Sequence, residues 1–160
     1  MPLFVRGPGV PAGSAVENLV LNNDLAPTFA ELGGLEGFEA DGRSLVPLLR
    51  GETPPDWRGS MYYRYWMHRD GAHAVPAHYG VRTRTHKLIC YYNDPLGQEG
   101  ARGPADPVEW ELFDLVIDPL ETTNVIADGH YDAVRAELEA ELARLQAELG
   151  DTPHPAAVGA

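Results

Sequence analysis

The sequence predicts an α+β fold. We read it as the end of an α/β layer, with one strand and two short helices, followed by a small antiparallel sheet of about four strands packed on a long C-terminal helix. Three observations predict this. Aromatic and β-branched runs recur between residues 60 and 115, separated by turn signals. Tyr131, Val134, Leu138, Leu142, Leu145 and Leu149 recur every three or four residues, which is one stripe of an amphipathic helix. Residues 1–56 are short apolar pieces punctuated by Gly and Pro. The expected organisation is therefore 1–56 as the layer tail, 57–150 as the sheet-and-helix unit, and 151–160 as a flexible Pro/Ala/Gly-rich tail.

The elements follow in order. Residues 2–6 read as a short strand stopped by Gly7-Pro8-Gly9. Asp24 is placed to cap a helix over 25–32, with Pro27 in the first turn, where a missing N–H costs nothing. Leu25, Phe29 and Leu32 make its apolar face, and Gly33-Gly34 end it. Ser44 caps a second short helix that carries Leu45, Leu48 and Leu49 and stops at Gly51. Met61 to Trp66, Tyr79 to Arg84, Lys87 to Asn93 and Trp110 to Leu115 read as strands. The terminal helix ends at Gly150.

Charge is unevenly distributed. The chain of 160 residues carries 12 Lys+Arg and 24 Asp+Glu, a net charge of −12. That balance argues against a general nucleic-acid binder and against docking on an anionic membrane, since both need cations facing phosphates. Yet residues 57–87 carry five Arg and one Lys against Asp70 alone, together with four of the six His. The single cysteine, Cys90, has no partner for a disulfide or a CxxC pair. No apolar run approaches the roughly 18 residues of a membrane-spanning helix. The first residues lack the charged and apolar regions of a secretory signal. A buried-type strand at the very start suggests the tail of something longer.

Five segments then matter together. They are Pro2-Leu3-Phe4-Val5-Arg6-Gly7-Pro8-Gly9-Val10; Asn23-Asp24-Leu25-Ala26-Pro27-Thr28 with Gly33-Gly34; Gly42-Arg43-Ser44-Leu45-Val46-Pro47-Leu48-Leu49; His78-Tyr79-Gly80-Val81-Arg82-Thr83 leading to His86-Lys87-Leu88-Ile89; and Trp110-Glu111-Leu112-Phe113-Asp114-Leu115 running into Asp118-Pro119-Leu120-Glu121 and Asn124. In this order they resemble the C-terminal third of the type I, formylglycine-dependent sulfatases of the alkaline phosphatase superfamily. The likeness covers about residues 2–150. It implies a sulfuric ester hydrolase whose remaining part, a partner for this chain, supplies formylglycine and Ca²⁺. It also implies a pocket for a sulfated carbohydrate or similar sulfate ester.

The family's catalytic motifs have no match in these residues. Cys90 is followed by Tyr91-Tyr92-Asn93, and none of the three serines precedes Pro-Ser-Arg. The family's Asp-His-Gly metal segment would lie before Met1. Sulfate-ester cleavage needs a nucleophile and a polarising cation at one sulfur. No catalytic or metal-binding residue is therefore assigned, and the chain alone is expected to be inactive.

The resemblance places His78 at the pocket, beside Arg82, with His73 as a second lining residue; these three are the candidate substrate-binding residues. Arg suits sulfate through its two-pronged donors. The plain alternatives are a loop-stabilising His78 and an Arg82 paired with acids on a neighbouring strand. His68, His73 and His78, five apart, make a poor metal triad, because no regular element puts every fifth residue on one face. Tyr62, Tyr63, Tyr65 and Trp66 read as core and sheet surface, with sugar stacking open for Trp66. Asp24 reads as a helix cap, and Asp118, Glu121 and Asn124 as turn residues. Two other functions remain possible from sequence: a stand-alone module binding anionic glycans through the basic segment, and a structural fragment without a ligand.

Overall fold

A computed structural model describes residues 3–157. They form two compact units, one ending at Gly59 and the other beginning at Ser60.

The first unit holds α1 (Leu25–Leu32) and α2 (Val46–Leu49). Pro47 lies at the start of α2, and the Ser44 hydroxyl accepts the Val46 N–H at 3.2 Å. Asp24 departs from the capping role. Its side chain caps nothing in α1 and is fully buried. It accepts from the backbone N–H of Leu21 (2.7 Å) and Arg43 (2.8 Å), and from both terminal nitrogens of Arg58 (2.5 and 2.7 Å). Burial pushes its pKa up, but the Arg58 guanidinium and the two backbone donors outweigh burial and hold it below the usual carboxylate range. The expected apolar face of α1 is also corrected. Thr28 is the buried residue, its hydroxyl bridging Asp24 O and Leu45 N–H, while Phe29 and Leu32 are 67% and 59% exposed. Leu3 to Arg6 form no strand, because a strand needs a ladder partner and these residues have none among those described. Pro2 of that expected strand lies outside the described residues.

The second unit is an antiparallel meander, β1 (Ser60–Tyr65), β2 (His78–Thr83), β3 (His86–Tyr91) and β4 (Glu109–Asp114), in the order β1-β2-β3-β4. A 3-10 turn (Gly129–Tyr131) leads into α3 (Asp132–Glu148), which packs on β1, β2 and β3. Gly150 follows with φ of 67°, the left-handed conformation that glycine adopts without strain. Tyr79, Val81, Leu88, Cys90 and Leu112 face α3, all at most 1% exposed, against Leu138 and Leu142. Trp110 packs against this core.

Residues 151–157, expected as part of a flexible tail, lie against the sheet. Asp151 accepts from the Tyr62 hydroxyl and from Arg64 (2.5 Å). His154 stacks on Tyr92 with ring centroids 5.4 Å apart and reaches Asp94 at 3.2 Å. Ala157 is buried. Among the described residues no helix is long and apolar enough to cross a membrane.

Candidate functional site on the open face of the sheet

Strand side chains alternate between faces. The register therefore sets Met61, Tyr63, Tyr65, His78, Gly80, Arg82, Lys87, Ile89, Tyr91 and Glu111 on the face away from α3. This face differs in kind from the buried one. A Cβ on Gly80 would lie 2.5 Å from Leu88 O and 2.8 Å from the Tyr63 hydroxyl, so Tyr63 lies directly over that glycine.

His78 opens β2 in an aromatic cradle. Its ring stacks on Tyr65 (5.6 Å between centroids, 25° between planes), meets Tyr63 edge-on (5.7 Å), and lies 5.2 Å from Tyr91. Its Nδ1 donates to Pro76 O at 2.8 Å, because a carbonyl can only accept. Burial, only partly offset by that bond, lowers the His78 pKa and favours the neutral ring. Nε2 of the neutral ring is then an acceptor.

His73 lies on the loop before β2 and meets the same tyrosine, edge-on to Tyr65 at 6.4 Å and 89°. The structure thus brings two of the three expected site residues together around Tyr65. Arg82 is not in that group. It sits four residues further along β2, about 13 Å at strand rise, and its Nη1 is 3.4 Å from Glu121 Oε1. Glu121 also takes Lys87 Nζ at 2.5 Å. This is the pairing alternative for Arg82, with the acid coming from the turn after β4 rather than from a strand.

His68 belongs to neither group. It is fully buried, and its Nδ1 accepts the Ala77 N–H at 3.2 Å, which anchors the residue just before His78. Trp66, open to sugar stacking in the sequence, has the Arg64 guanidinium 3.6 Å from its ring centroid.

The basic segment is largely neutralised. Arg58 pairs with Asp24, Arg64 with Asp151, Arg69 with Asp106, and Arg82 and Lys87 with Glu121, so five of its six cations meet acids from outside the segment. Three functional candidates escaped the sequence reading: Tyr65, Asp70 and Glu121. Asp70 left one signal, as the lone acid in the segment and three residues before His73.

The comparison with known families decides the relationship. The family described as N-sulphoglucosamine sulphohydrolase, C-terminal, matches residues 1–148. This chain belongs to that family. It is the C-terminal part of a sulfatase of the alkaline phosphatase superfamily. N-acetylglucosamine-6-O-sulfatase of Bacteroides thetaiotaomicron is 37% identical over 155 residues, 94% of this chain and 25% of the relative. Arylsulfatase K of Rattus norvegicus is 29% identical over 80% of this chain and 21% of its own length. The sulfatase C-terminal part described here therefore spans about a quarter of these relatives. Among solved structures, BT4656 in complex with its substrate D-glucosamine-2-N,6-O-disulfate superposes with a TM-score of 0.64 at 37% identity, over 77% of this chain and 23% of that one. The phosphonate monoester hydrolase of Silicibacter pomeroyi gives 0.64 at 26% identity, over 95% of this chain and 29% of that one.

The residues present do not fit the family's catalytic groups. Among the described residues no three His, Cys, Asp or Glu are grouped to hold a metal ion. Cys90 lies buried in β3, and burial pushes its thiol up to about 11, the reverse of an activated sulfur.

Proposed function

We propose that this sulfatase C-terminal part helps form the pocket for a sulfated amino sugar, with His78 as its main sugar contact and His73 beside it. Arg82 stands further along the rim, where its pairing with Glu121 orients the guanidinium. The nucleophile and the cation belong to the remainder of the enzyme. The observation that carries this reading is the state of His78. A neutral ring with Nδ1 committed to Pro76 presents an acceptor at Nε2, between aromatic faces. That chemistry suits a sugar hydroxyl or amino hydrogen, and the apolar side of a sugar ring suits the tyrosines. It does not suit a sulfate oxygen, which needs a donor. The hydrogen bonding of His78 therefore favours the sugar over the sulfate.

The 37% identity to BT4656, whose substrate is D-glucosamine-2-N,6-O-disulfate, supports the ligand class. The paired cations weigh against a stand-alone module that grips anionic glycans by free charge. Calorimetric titration of the 160-residue chain with D-glucosamine-2-N,6-O-disulfate tests the proposal. His78→Ala is expected to weaken binding about three- to tenfold, the worth of one net hydrogen bond. Equal affinity of the wild type and this variant overturns it.

A further inference from the structure

We propose that Tyr65 and Asp70 are positioning residues that hold His73 and His78 in one arrangement for a sulfated amino sugar. The proposal rests on the pocket role given above and adds the device that sets its geometry.

Asp70 is the hub. Its Oδ1 accepts the backbone N–H of Ala72 (2.8 Å) and of His73 (2.7 Å). Its Oδ2 accepts the Tyr65 hydroxyl and His73 Nδ1, the latter at 3.2 Å. Those donors, the Tyr65 hydroxyl foremost, hold the Asp70 carboxyl well below the usual range, so it stays an acceptor-only anion. A carboxylate facing Nδ1 places the proton on that nitrogen. His73 Nε2 is then the ring nitrogen left to meet a ligand, on a side chain that is 66% exposed. His78 reaches the same tautomer by a different route, through Pro76 O.

Tyr65 joins the two. Its backbone is fixed at the end of β1, where it pairs with His78 of β2. Its ring stacks on His78 and receives His73 edge-on, while its hydroxyl fixes the carboxylate that orients His73. Two imidazoles with their Nδ1 atoms engaged thus meet one tyrosine ring. That pattern fits a hexosamine, which offers hydroxyl and amino hydrogens at the edge of a partly apolar ring. The loop also has ties outside this hub. Arg69 N–H already bonds Val75 O at 2.8 Å, Ala74 N–H bonds Asp70 O at 3.0 Å, and His68 anchors Ala77. Asp70 Oδ1 adds two further backbone ties, while Oδ2 and the Tyr65 hydroxyl act on the direction of the His73 ring.

The test uses the 160-residue chain with Tyr65→Phe, Asp70→Asn and Tyr65→Ala. Nitrogen-15 imidazole spectra are recorded without ligand, and each variant is then titrated with D-glucosamine-2-N,6-O-disulfate. Tyr65→Phe keeps the ring and is expected to shift the His73 ring signals while leaving those of His78 in place. Tyr65→Ala is expected to move both. Each variant is expected to bind the disulfate about three- to tenfold more weakly, with the backbone amides of β2, β3 and β4 unmoved. Unchanged His73 signals in Tyr65→Phe and Asp70→Asn overturn the proposal, as does unchanged affinity in both. If Asp70→Asn fails to fold, Tyr65→Phe decides alone. A wild-type chain that ignores the disulfate sinks the pocket role, while the ligand-free spectra still decide whether Tyr65 and Asp70 hold the histidines.

Discussion

The two faces of the four-stranded sheet are made from alternate residues of the same strands, yet they obey different physics. On the α3 side Tyr79, Val81, Leu88, Cys90 and Leu112 are sealed from water, and their free energy comes from apolar burial. On the open side Tyr63, Tyr65, His78, Arg82 and Lys87 are half-buried, and ring contacts, a carboxylate hub and one bridging Glu121 organise them. The contrast teaches a division of labour. The buried face holds the strands in register, and that register lets the other face present polar groups beside the buried Ile89 and Phe113.

The largest expected effect lies on the buried face. Leu112→Ala is expected to cost about 2–5 kcal/mol in urea unfolding, through lost transfer energy and a cavity. The same denaturation should expose Cys90, which is otherwise expected to resist maleimide labelling because its thiol is buried and raised. Rapid labelling of the native chain would contradict the sealed face.

Next comes Gly80, where Tyr63 lies close over the backbone. Gly80→Val is expected to cost about 1–3 kcal/mol, because its side chain would collide with Leu88 O and displace Tyr63. A shift of the His78 ring resonances should accompany it. Stability unchanged from wild type would break the contrast, since the open face would then tolerate volume freely.

A smaller effect concerns pH. The folded pKa of His78 is lowered, so below the unfolded value of about 6.5 the unfolded chain binds the extra proton first. Its share of stability is therefore complete above that value and falls as pH drops toward the folded pKa. His78→Gln should flatten this slope in chemical denaturation between about pH 5 and 7. An equal slope in both proteins would assign the dependence elsewhere. The smallest effect is expected at Arg82→Ala, about 0.2–1 kcal/mol, because the Arg82 side chain is 41% exposed and Lys87 still holds Glu121. A much larger loss in thermal unfolding would make the rim part of the stabilising framework.

Much of the second unit was legible from local pattern. The four aromatic or β-branched runs became β1 to β4 within one or two residues, and the Tyr131–Leu149 stripe became α3. His78 falls on the first residue of β2, as its place before Tyr79 suggested. The first unit was less legible. Phe29 and Leu32 lie on one side of α1 yet remain exposed, because periodicity names a stripe and not what covers it. Asp24 looks like any N-cap until Arg58, far along the chain, is brought to it.

The candidate site divides in the same way. The motif His78-Tyr79-Gly80-Val81-Arg82, one of the five segments that together carried the family resemblance, supplied His78 and Arg82 as candidates. The hub at Asp70 and the two ring contacts of Tyr65 depend on a loop folding back on β1, and the Glu121 bridge depends on a turn after β4 reaching β2 and β3. The net charge of −12 and its uneven distribution were fully determined by the sequence, as were the strand runs and the helical stripe, because composition and periodicity are local properties. What the positive segment does was decided only by tertiary structure. Arg64 meets Asp151 across 87 residues, and the other paired cations likewise find acids outside the segment. Coulomb attraction acts through space and not along the chain, so five cations of a positive run came to face four acids from elsewhere in the sequence.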